Sequence, residues 1–597
     1  MESKMSPRKF LNLLVILTLL VATIFSSCVN KSNNGETVKD VMDRTVTRLY
    51  KTMNDKQLDS LSNDQVMALF NEQEKNVLAT KHWSFDVNVP VVVSVMRSAE
   101  QKMVPFWLAP AGFVKTGKTM KNTEVTYEVW QKKFNSGHVG LGINGFEDFM
   151  LHYFVSVAPQ NKSDQLELSN FFPANQNVDI LQDSAFTYHD WTELVVMNVP
   201  EDMKGEKLLT TIRGRGTESH LVGAFRKTAY PSSSTPDQVM LTWSSDPATS
   251  IDIQWRTDTT IQTGKVNYRE KGSNTLMSAS AERYRMEDRN LMNDRYVNRF
   301  TAQLKNLKPG TNYEYQISRQ TDWIEKYTFS TPARDSSFSF VWTGDTHHSP
   351  TINKLYNLAD QSHPDAAFYS IAGDLVSEGL HRDEWDDLFH FTKDVISRKP
   401  LMAVIGNHDT RQGLGAWMYR ELFSYSKNAP VSVQPEHTYS FTYKNALFLM
   451  IESTASIDSQ KLWIEDQLAK SDATWKFAMF HFAPYNWDEP YPDIQAAWVP
   501  IFDKYHVDMV MNGHIHYYMR SKPMKGGKVV SSYNEGTAYV ESVGIPTKPE
   551  KHPEESYAAV RNFNGDLYQY VKIEGNKLSF TAVNSDNKVI DSFTIRK

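Results

Sequence analysis

The sequence predicts a multidomain fold, with an α/β sandwich at the C-terminal end preceded by a β-sandwich and by a further β-rich domain. The length of 597 residues exceeds what one hydrophobic core usually serves. From residue 335 onwards, short apolar runs alternate with helical patterns, as they do in α/β sheets. Residues 80–225 and 228–332 instead show the apolar and polar alternation of strands.

Residues 1–28 have the pattern of a signal peptide that ends in a lipidated cysteine. Basic residues precede an apolar stretch over residues 10–25, and Cys28, the only cysteine of the chain, follows two serines. The apolar stretch is shorter than the ~20 residues that span a bilayer, which disfavours a retained transmembrane helix. An ordinary cleaved signal with an incidental cysteine is the other alternative. We therefore expect an exported protein, a periplasmic or cell-surface bacterial lipoprotein held to the membrane at Cys28.

Residues 29–79 are expected to form a tether followed by a helical segment. Small polar residues dominate positions 29–36, a composition suited to a flexible tether. Apolar residues then recur at helical spacing from Val38 to Tyr50 and from Val66 to Val77, with an N-cap signal at Ser62. We expect two amphipathic helices.

Residues 80–225 are predicted to form a β-rich domain whose role the sequence does not reveal. Its tryptophans could bind a sugar, although tryptophans of β-domains more often pack in the core. Residues 226–334 are predicted to form a β-sandwich. The stretch Leu-x-Pro-Gly-Thr-x-Tyr-x-Tyr at residues 307–315 resembles fibronectin type III domains, in which the tyrosine anchors a strand. By itself, that resemblance implies only a spacer.

The charge balance argues against one class of partner. The chain has 64 basic and 70 acidic side chains and a formal net charge of -6, so no basic field is available to hold a polyanion. Nucleic acid is therefore not expected as a partner. The single cysteine also excludes internal disulfides and cysteine-rich zinc sites.

Residues 335–597 are predicted to form the α/β domain. Five apolar runs of strand length alternate with four helical patterns, and three alternating segments near the C-terminus are expected to close the sheet. The predicted strands are residues 338–342, 366–372, 401–405, 475–480, 507–511, 567–573, 577–582 and 590–595. The predicted helices are residues 350–362, 381–398, 458–471 and 492–505.

Each of the first five strands ends in a short polar motif, and together these motifs indicate a two-metal hydrolase. Two divalent ions can clamp the attacking and the leaving oxygen of a phosphoryl group. The motifs offer carboxylate, amide and imidazole ligands without a thiolate. Each motif alone is weak, because Gly-Asp is commonly a turn and a lone histidine is commonly structural, but their joint order indicates a metal site. The candidate ligands are Asp345, His347, Asp374, Asn407, His481, His514 and His516.

The expected geometry follows from the strands. The carboxyl ends of strands in an open parallel sheet meet at one crevice, where scattered ligands can gather. The residues of each pair, Asp345/His347 and His514/His516, are two positions apart. In extended chain, both side chains of a pair would therefore point the same way, roughly 7 Å apart. Asp374 is expected to bridge the two ions.

These motifs resemble those of the calcineurin-like metallophosphoesterase family, whose Asp-x-His, Gly-Asp, Gly-Asn-His-Asp, His and Gly-His-x-His pattern is complete here. The purple acid phosphatases are the most similar members, because a fibronectin-like domain precedes their catalytic domain. The resemblance implies that one ion takes Asp345, His347, Asp374 and His516, and the other takes Asp374, Asn407, His481 and His514.

Two positions depart from the purple acid phosphatases. Their tyrosine ligand of ferric iron falls on Ser377, and the glycine that follows their first aspartate by two residues is replaced by His347. Imidazole in place of phenolate suits divalent iron, manganese or zinc. We therefore expect two divalent ions of these kinds and a colourless enzyme.

His408 is absent from the implied ligand set and is the expected general acid, protonating the leaving oxygen, with Asp409 as its orienting partner. The expected nucleophile is a metal-bridging hydroxide, because bound ions lower the pKa of water. Candidates for lining the pocket are Tyr485, Asn486, Tyr518 and Arg520.

The sequence thus favours a phosphatase that hydrolyses monoesters of a small phosphorylated substrate. A phosphodiesterase or nucleotide hydrolase on the same site is the first alternative, because the same core serves both ester types in this family. A surface binding protein that uses the fold as a scaffold is the second, because a long β-rich sequence precedes the first ligand.

Overall fold

The computed structural model describes residues 35–147, 151–174, 176–188, 191–317, 327–333, 335–410, 414–488, 491–548 and 552–597. The predicted signal peptide and Cys28 lie outside these residues. Along the described part of the chain, no helix combines the length and the apolar character needed to span a bilayer.

The N-terminal helical segment contains four helices in its described residues, 35–80, where two were expected. The first agrees with the prediction, but the region after it is broken by Asn54, Ser62 and Asn71. Each of these side chains accepts a hydrogen bond from the backbone N–H three residues later and so begins a new helix. The helices are α1 (Val38–Thr52), α2 (Asp55–Asp59), α3 (Asn63–Met67) and α4 (Glu72–Thr80).

The β-rich region contains eleven described strands: β1 (Trp83–Val87), β2 (Val91–Ser98), β3 (Val114–Lys121), β4 (Thr126–Phe134), β5 (Gly137–Leu141), β6 (Phe154–Pro159), β7 (Leu168–Phe172), β8 (Val178–Ile180), β9 (Phe186–Tyr188), β10 (Trp191–Val195) and β11 (Lys207–Leu209). They form antiparallel sheets in the orders β3-β4-β2-β6-β11-β8, β5-β1-β7 and β10-β9. Trp83 and Trp107 are buried in its core, as packing tryptophans would be.

The next unit is the predicted β-sandwich. Its sheets have the orders β12-β13-β17-β16 and β15-β14-β18-β19. The hydroxyl of Tyr313 accepts a hydrogen bond of 2.8 Å from the backbone N–H of Lys308, so this tyrosine does anchor its strand to the preceding turn. The strands are β12 (Asp237–Thr242), β13 (Ile251–Asp258), β14 (Lys265–Glu270), β15 (Met277–Ser280), β16 (Glu282–Glu287), β17 (Tyr296–Leu304), β18 (Asn312–Ile317) and β19 (Tyr327–Ser330).

The sandwich packs tightly against the α/β domain. The ring of Trp243 lies 5.7 Å from that of Phe368 and 5.4 Å from that of Tyr443. The hydroxyl of Tyr315 donates a hydrogen bond of 2.6 Å to the carbonyl of Ser397. The two units therefore share one apolar core, and the sandwich is more than a spacer.

The described part of the α/β domain consists of two packed sheets and a separate two-stranded hairpin, β28-β29. Its strands are β20 (Ser337–Thr343), β21 (Ala366–Ala372), β22 (Leu401–Val404), β23 (Tyr439–Tyr443), β24 (Ala446–Met450), β25 (Trp475–Phe482), β26 (Met509–Gly513), β27 (Tyr518–Ser521), β28 (Met524–Lys525), β29 (Lys528–Val529), β30 (Ala538–Glu541), β31 (Ala558–Asn562), β32 (Leu567–Glu574), β33 (Lys577–Asn584) and β34 (Val589–Arg596). Its helices are α5 (Thr351–Ser362), α6 (Arg382–Ile396), α7 (Trp417–Leu422), α8 (Ile457–Lys470), α9 (Pro492–Ala497) and α10 (Val499–Tyr505).

One sheet has the order β22-β21-β20-β32-β33-β34, and the other has the order β23-β24-β25-β26-β30-β27-β31. Phe340 of the first sheet packs on Phe448 and Phe477 of the second, with ring distances of 5.3 and 5.6 Å. The predicted closing strands pair antiparallel with β20 through β32, as expected. The predicted multidomain fold with a C-terminal α/β sandwich is confirmed.

One predicted helix is divided. The pattern over residues 492–505 forms α9 and α10, which meet at Trp498. Pro500 lacks a backbone N–H and cannot donate to the turn before it, which explains the break.

Candidate metal centre

The seven predicted ligands lie at the ends of parallel strands, but these strands belong to two sheets. Asp345 follows β20, Asp374 follows β21 and Asn407 follows β22, all in the first sheet. His481 lies near the end of β25, and His514 follows β26, both in the second sheet. The expected crevice of one open sheet is therefore a seam between two packed sheets.

The carboxylate of Asp374 lies at the centre of the cluster. Its Oδ2 is 3.6 Å from Nε2 of His347, and its Oδ1 is 3.3 Å from Nε2 of His481. Nε2 of His481 is also 3.0 Å from Oδ1 of Asn407. The two oxygens of Asp374 thus face different histidines, an arrangement in which this carboxylate could bridge two ions.

Asp345 organises the other side of the cluster. Its Oδ2 lies 3.0 Å from Nε2 of His516 and 3.8 Å from Nε2 of His347. The Nε2 atoms of these two histidines are 3.3 Å apart. Its Oδ1 accepts a hydrogen bond of 2.8 Å from the backbone N–H of His514, which fixes the loop that carries both histidines after β26.

Within the described part of the chain, three groups of side chains bring potential ligand atoms within 4.8 Å of one another. His408 belongs to one of them, although the resemblance leaves it out of the ligand set. The groups are Asp345, His347 and His516; then His347, Asp374 and His408; then Asp374, His481 and His514.

The pairs Asp345/His347 and His514/His516 lie in turns. The expectation of extended chain at these pairs is wrong. His347 has φ 41°, His514 has φ 82° and Asp374 has φ 52°, all in the left-handed region that residues other than glycine rarely adopt. Such strained backbone persists where the surrounding structure holds it, and it is common at functional sites. Here it turns the chain sharply, so that neighbouring ligands reach one cluster.

Two glycines allow the ligand loops to approach closely. A Cβ on Gly406 would lie 2.1 Å from Oδ1 of Asp374, and a Cβ on Gly513 would lie 2.2 Å from Oδ1 of Asp345. Both distances are far inside van der Waals contact. The Gly-Asn-His-Asp and Gly-His-x-His motifs therefore need glycine for space.

Hydrogen bonds behind the cluster orient two of its rings. Nδ1 of His481 lies 2.8 Å from the carbonyl of Ala372, and Nδ1 of His408 lies 2.9 Å from the carbonyl of Ser377. A carbonyl can only accept, so each Nδ1 carries the proton of its bond. Such bonds behind a ligating histidine fix the tautomer and direct Nε2 at the metal.

The electrostatics fit a cation-binding site. Burial alone would raise the pKa of Asp374, but the histidines around it, chiefly His481 and His408, bring it well below its usual value. Burial alone would lower the pKa of His481, yet the carboxylates of Asp374 and Asp345 raise it to about 9. The buried carboxylates thus require positive charge nearby. The oxygen and nitrogen donors of the whole cluster suit a binuclear metal centre.

Asp409 was expected to orient His408, and its carboxylate has a different set of partners. It accepts hydrogen bonds from the two backbone N–H groups that follow Asp374, at 3.0 and 3.2 Å, and from that of Gly406 at 2.8 Å. Burial and the nearby Asp374 raise the pKa of Asp409 well above its usual value. Asp409 therefore ties together the two loops that carry Asp374 and Asn407, and the Ser377 carbonyl orients the ring of His408.

A cleft of about 500 Å³ opens over the cluster. Asp374, Asn407, His408, His514 and His516 form its floor. Its walls include Arg213, Trp487, Asp488, Lys548, His552 and Phe563.

The four side chains expected to line the pocket have other environments. Tyr518 and Arg520 both bind Asp591, with hydrogen bonds of 2.7 and 2.6 Å. Tyr485 packs against Tyr539 at a ring distance of 4.7 Å. The fourth, Asn486, donates to the carbonyl of Ala483 at 2.9 Å.

Sequence reasoning did not find the residues of the cleft walls, and two residues missed at the site are Tyr491 and Arg213. The hydroxyl of Tyr491 lies 2.7 Å from Nε2 of His514, where it can orient that ring. Arg213 reaches the cleft from the β-rich region, far from any ligand in sequence. Neither lies in a motif, so no local signal marked them.

Comparison with known proteins agrees with this architecture. Residues 338–518 match the family model of calcineurin-like phosphoesterases, so this part of the chain is a metallophosphoesterase domain. Residues 236–331 match the model of the purple acid phosphatase N-terminal domain. The chain thus carries the domain pair of the purple acid phosphatases, as the motifs suggested.

Individual relatives are distant. An uncharacterized protein of Mycobacterium tuberculosis is 26% identical over 326 residues, covering 47% of this chain and 61% of that protein. Purple acid phosphatase 21 of Arabidopsis thaliana is 25% identical over 241 residues, covering 37% and 53%. Phosphoenolpyruvate phosphatase of Allium cepa is 25% identical over 259 residues, covering 40% and 53%. The chain thus spans a little over half the length of these relatives.

The overall fold also resembles a solved structure. A purple acid phosphatase from yellow lupin (Lupinus luteus) seeds aligns with a TM-score of 0.53 at 15% identity, covering 87% of this chain and 91% of that one. At this identity the likeness concerns the fold alone.

Proposed function

We propose that this protein is a two-metal phosphatase that hydrolyses phosphate monoesters. The observation that carries the proposal is the position of Asp374, whose two oxygens face His347 on one side and His481 on the other. The cleft above these residues is large enough for a small phosphoester. The match to the phosphoesterase model and the names of the relatives support the same reaction class.

The proposed ligand assignment is the one that the resemblance implies, and the contacts of Asp374 and Asp345 support it. One ion would be held by Asp345, His347, Asp374 and His516, and the other by Asp374, Asn407, His481 and His514. When bound, the pair would supply an activated water and positive charge for the transferring phosphoryl group.

His408 is the proposed general acid, and its position and hydrogen bonding support this role. It lines the cleft, and its Nε2 lies 3.9 Å from Oδ2 of Asp374. Because the Ser377 carbonyl holds Nδ1–H, Nε2 is the nitrogen that can pass a proton to the leaving oxygen. Asp409 acts indirectly in this proposal, by fixing the loop that carries His408.

A substrate panel tests the reaction class. The metal-free protein would be reloaded with manganese, zinc or iron(II), and the release of phosphate from monoesters would be compared with the cleavage of diesters. Higher kcat/KM for monoesters is expected. Preference for diesters would replace the phosphatase by a phosphodiesterase, and no cleavage of either would favour the binding-protein alternative.

We further propose that the protein is exported and lipid-anchored at Cys28, on the sequence pattern of residues 1–28 alone. Labelled palmitate should be incorporated into the protein in bacterial cells, and Cys28→Ser should abolish the label. Labelling that persists in this variant would overturn the anchor.

A further inference from the structure

Arg213 belongs to the β-rich region, yet it lines the cleft that contains Asp374 and His408. Lys548 and His552 line the same cleft. Among the described residues of the cleft walls, the only acidic side chain is the exposed Asp488. Among the described residues of these walls, two permanently cationic side chains, Arg213 and Lys548, thus face one carboxylate.

The segment that carries Arg213 is held firmly. Arg213 lies between β11 and a short 3-10 helix, Arg215–Ser219. In that helix, the buried Arg215 pairs with the buried Glu218 at 3.0 Å and donates to the backbone carbonyl of His82. This buried pair fixes the backbone two residues after Arg213.

The same segment is tied to the α/β domain through the β-sandwich. The side chain of Asn290 donates to the carbonyl of His220 at 3.3 Å, directly after the 3-10 helix. Arg226 then pairs with Asp288 of the sandwich at 2.7 Å and with Asp383 of α6. The backbone N–H of Arg382, also on α6, donates to Asp288 at 3.1 Å. The β-rich region is thereby held in a fixed position at the cleft.

We propose that Arg213, together with Lys548, forms a second anion-binding subsite, which takes a second acidic group of the phosphomonoester substrate. This inference rests on the proposed phosphatase function and deepens it, by naming doubly acidic phosphomonoesters as the substrate class. The guanidinium fork of arginine matches the paired oxygens of a phosphate, phosphonate or carboxylate. The subsite also gives the β-rich region a role in substrate recognition.

A series of three aryl monoesters tests the subsite. The reference is 4-methylphenyl phosphate; 4-carboxyphenyl phosphate and 4-(phosphonomethyl)phenyl phosphate add one second acidic group each. The wild-type enzyme should have a lower KM for one or both acidic esters than for the reference. The ester with the larger gain identifies whether the subsite prefers a carboxylate or a phosphate-like group.

The variants are Arg213→Gln, Arg213→Lys and Lys548→Gln, with Lys133→Gln as the control. Lys133 is an exposed cation of the same β-rich region, on β4, and does not line the cleft. Arg213→Gln should raise KM for the preferred acidic ester about tenfold, the loss of one charge-assisted contact, with kcat and the reference ester little changed. Arg213→Lys and Lys548→Gln should each raise the KM for this ester by less than Arg213→Gln does.

The outcomes separate the two proposals. If the wild-type enzyme cleaves all three esters with equal KM, or if Arg213→Gln affects the reference ester as much as the acidic ones, the subsite is refuted while the phosphatase stands. If no ester is cleaved, the proposed function itself fails. Because Lys548 is exposed, its variant should fold normally, and an unchanged KM in a folded Lys548→Gln protein would remove Lys548 from the subsite.

Discussion

The hydroxyl oxygen of Ser377 lies 3.5 Å from Nδ1 of His347. Nε2 of the same imidazole lies 3.8 Å from Asp345 and 3.6 Å from Asp374. The histidine therefore reaches the cluster from beside position 377, where the resemblance to purple acid phosphatases places a tyrosine ligand. In the proposed ligand set, the tyrosine ligand missing at position 377 is therefore replaced by the imidazole of His347.

This exchange predicts the colour of the iron-loaded protein. The wild-type protein should be colourless with iron, because it lacks the phenolate whose charge transfer to ferric iron gives the purple colour. The double variant His347→Gly/Ser377→Tyr should become purple when loaded with ferric iron, as measured by visible absorption. His347→Gly alone is the control and should stay colourless. A purple wild-type protein would contradict the ligand exchange.

His408→Ala should lower kcat by about 10²–10⁴-fold for an alkyl phosphate, whose leaving oxygen needs a proton. The loss should be much smaller for 4-nitrophenyl phosphate, because nitrophenolate leaves readily without protonation. Steady-state kinetics on both substrates measure the difference. His390→Ala is the matched control, because that ring stacks on Tyr230 at 3.8 Å and lies outside the cleft. An equal loss on both substrates would rule out the general-acid role.

Gly406→Ala should weaken metal binding. The new Cβ would lie 2.1 Å from Oδ1 of Asp374 and 2.3 Å from its backbone nitrogen, so the central carboxylate must move. Elemental analysis of the purified variant should find fewer than two ions per chain. Gly117→Ala provides the comparison, because an added Cβ there meets no atom within 4 Å. A Gly406→Ala protein with full metal content and activity would show that the loops can relax at little cost.

Glu206→Gln should change the pH dependence of stability. Burial raises the pKa of Glu206 to about 7, against a usual value of 4.5, so the folded state favours the protonated acid. The contribution of the protonated Glu206 carboxyl to the free energy of unfolding is fully present below pH 4.5. It is lost as the pH rises through 7. The variant's free energy of unfolding minus that of the wild type should therefore be about 2 kcal/mol larger at pH 8 than at pH 5.

Urea unfolding at pH 5 and pH 8 measures this difference. Glu124→Gln, at an exposed site, should show no such gain. If the difference between Glu206→Gln and wild type were the same at both pH values, the carboxyl would have an ordinary pKa in the folded protein.

The order of the domains, most strands of the α/β sandwich and the chemical kinds of its candidate ligands could be predicted from the amino-acid sequence alone. Each of these features depends on residues that are close together in the sequence. The run from Ala366 to Ala372 forms the strand that was predicted, because seven apolar or small residues before Gly373 and Asp374 suit a buried strand that ends in a turn. The N-cap at Ser62 was likewise visible, because a cap depends on the few residues that follow it.

The way in which these strands and loops meet could not be predicted, because it depends on tertiary packing. No local pattern shows that Asp374 and His481 come from different sheets, because their approach depends on the packing of many apolar side chains between the two layers. The left-handed turns at His347 and His514 are likewise held by that packing against local preference. Arg213 enters the cleft because ion pairs between separate units fix the β-rich region in place, and such contacts leave no periodic signal in the chain.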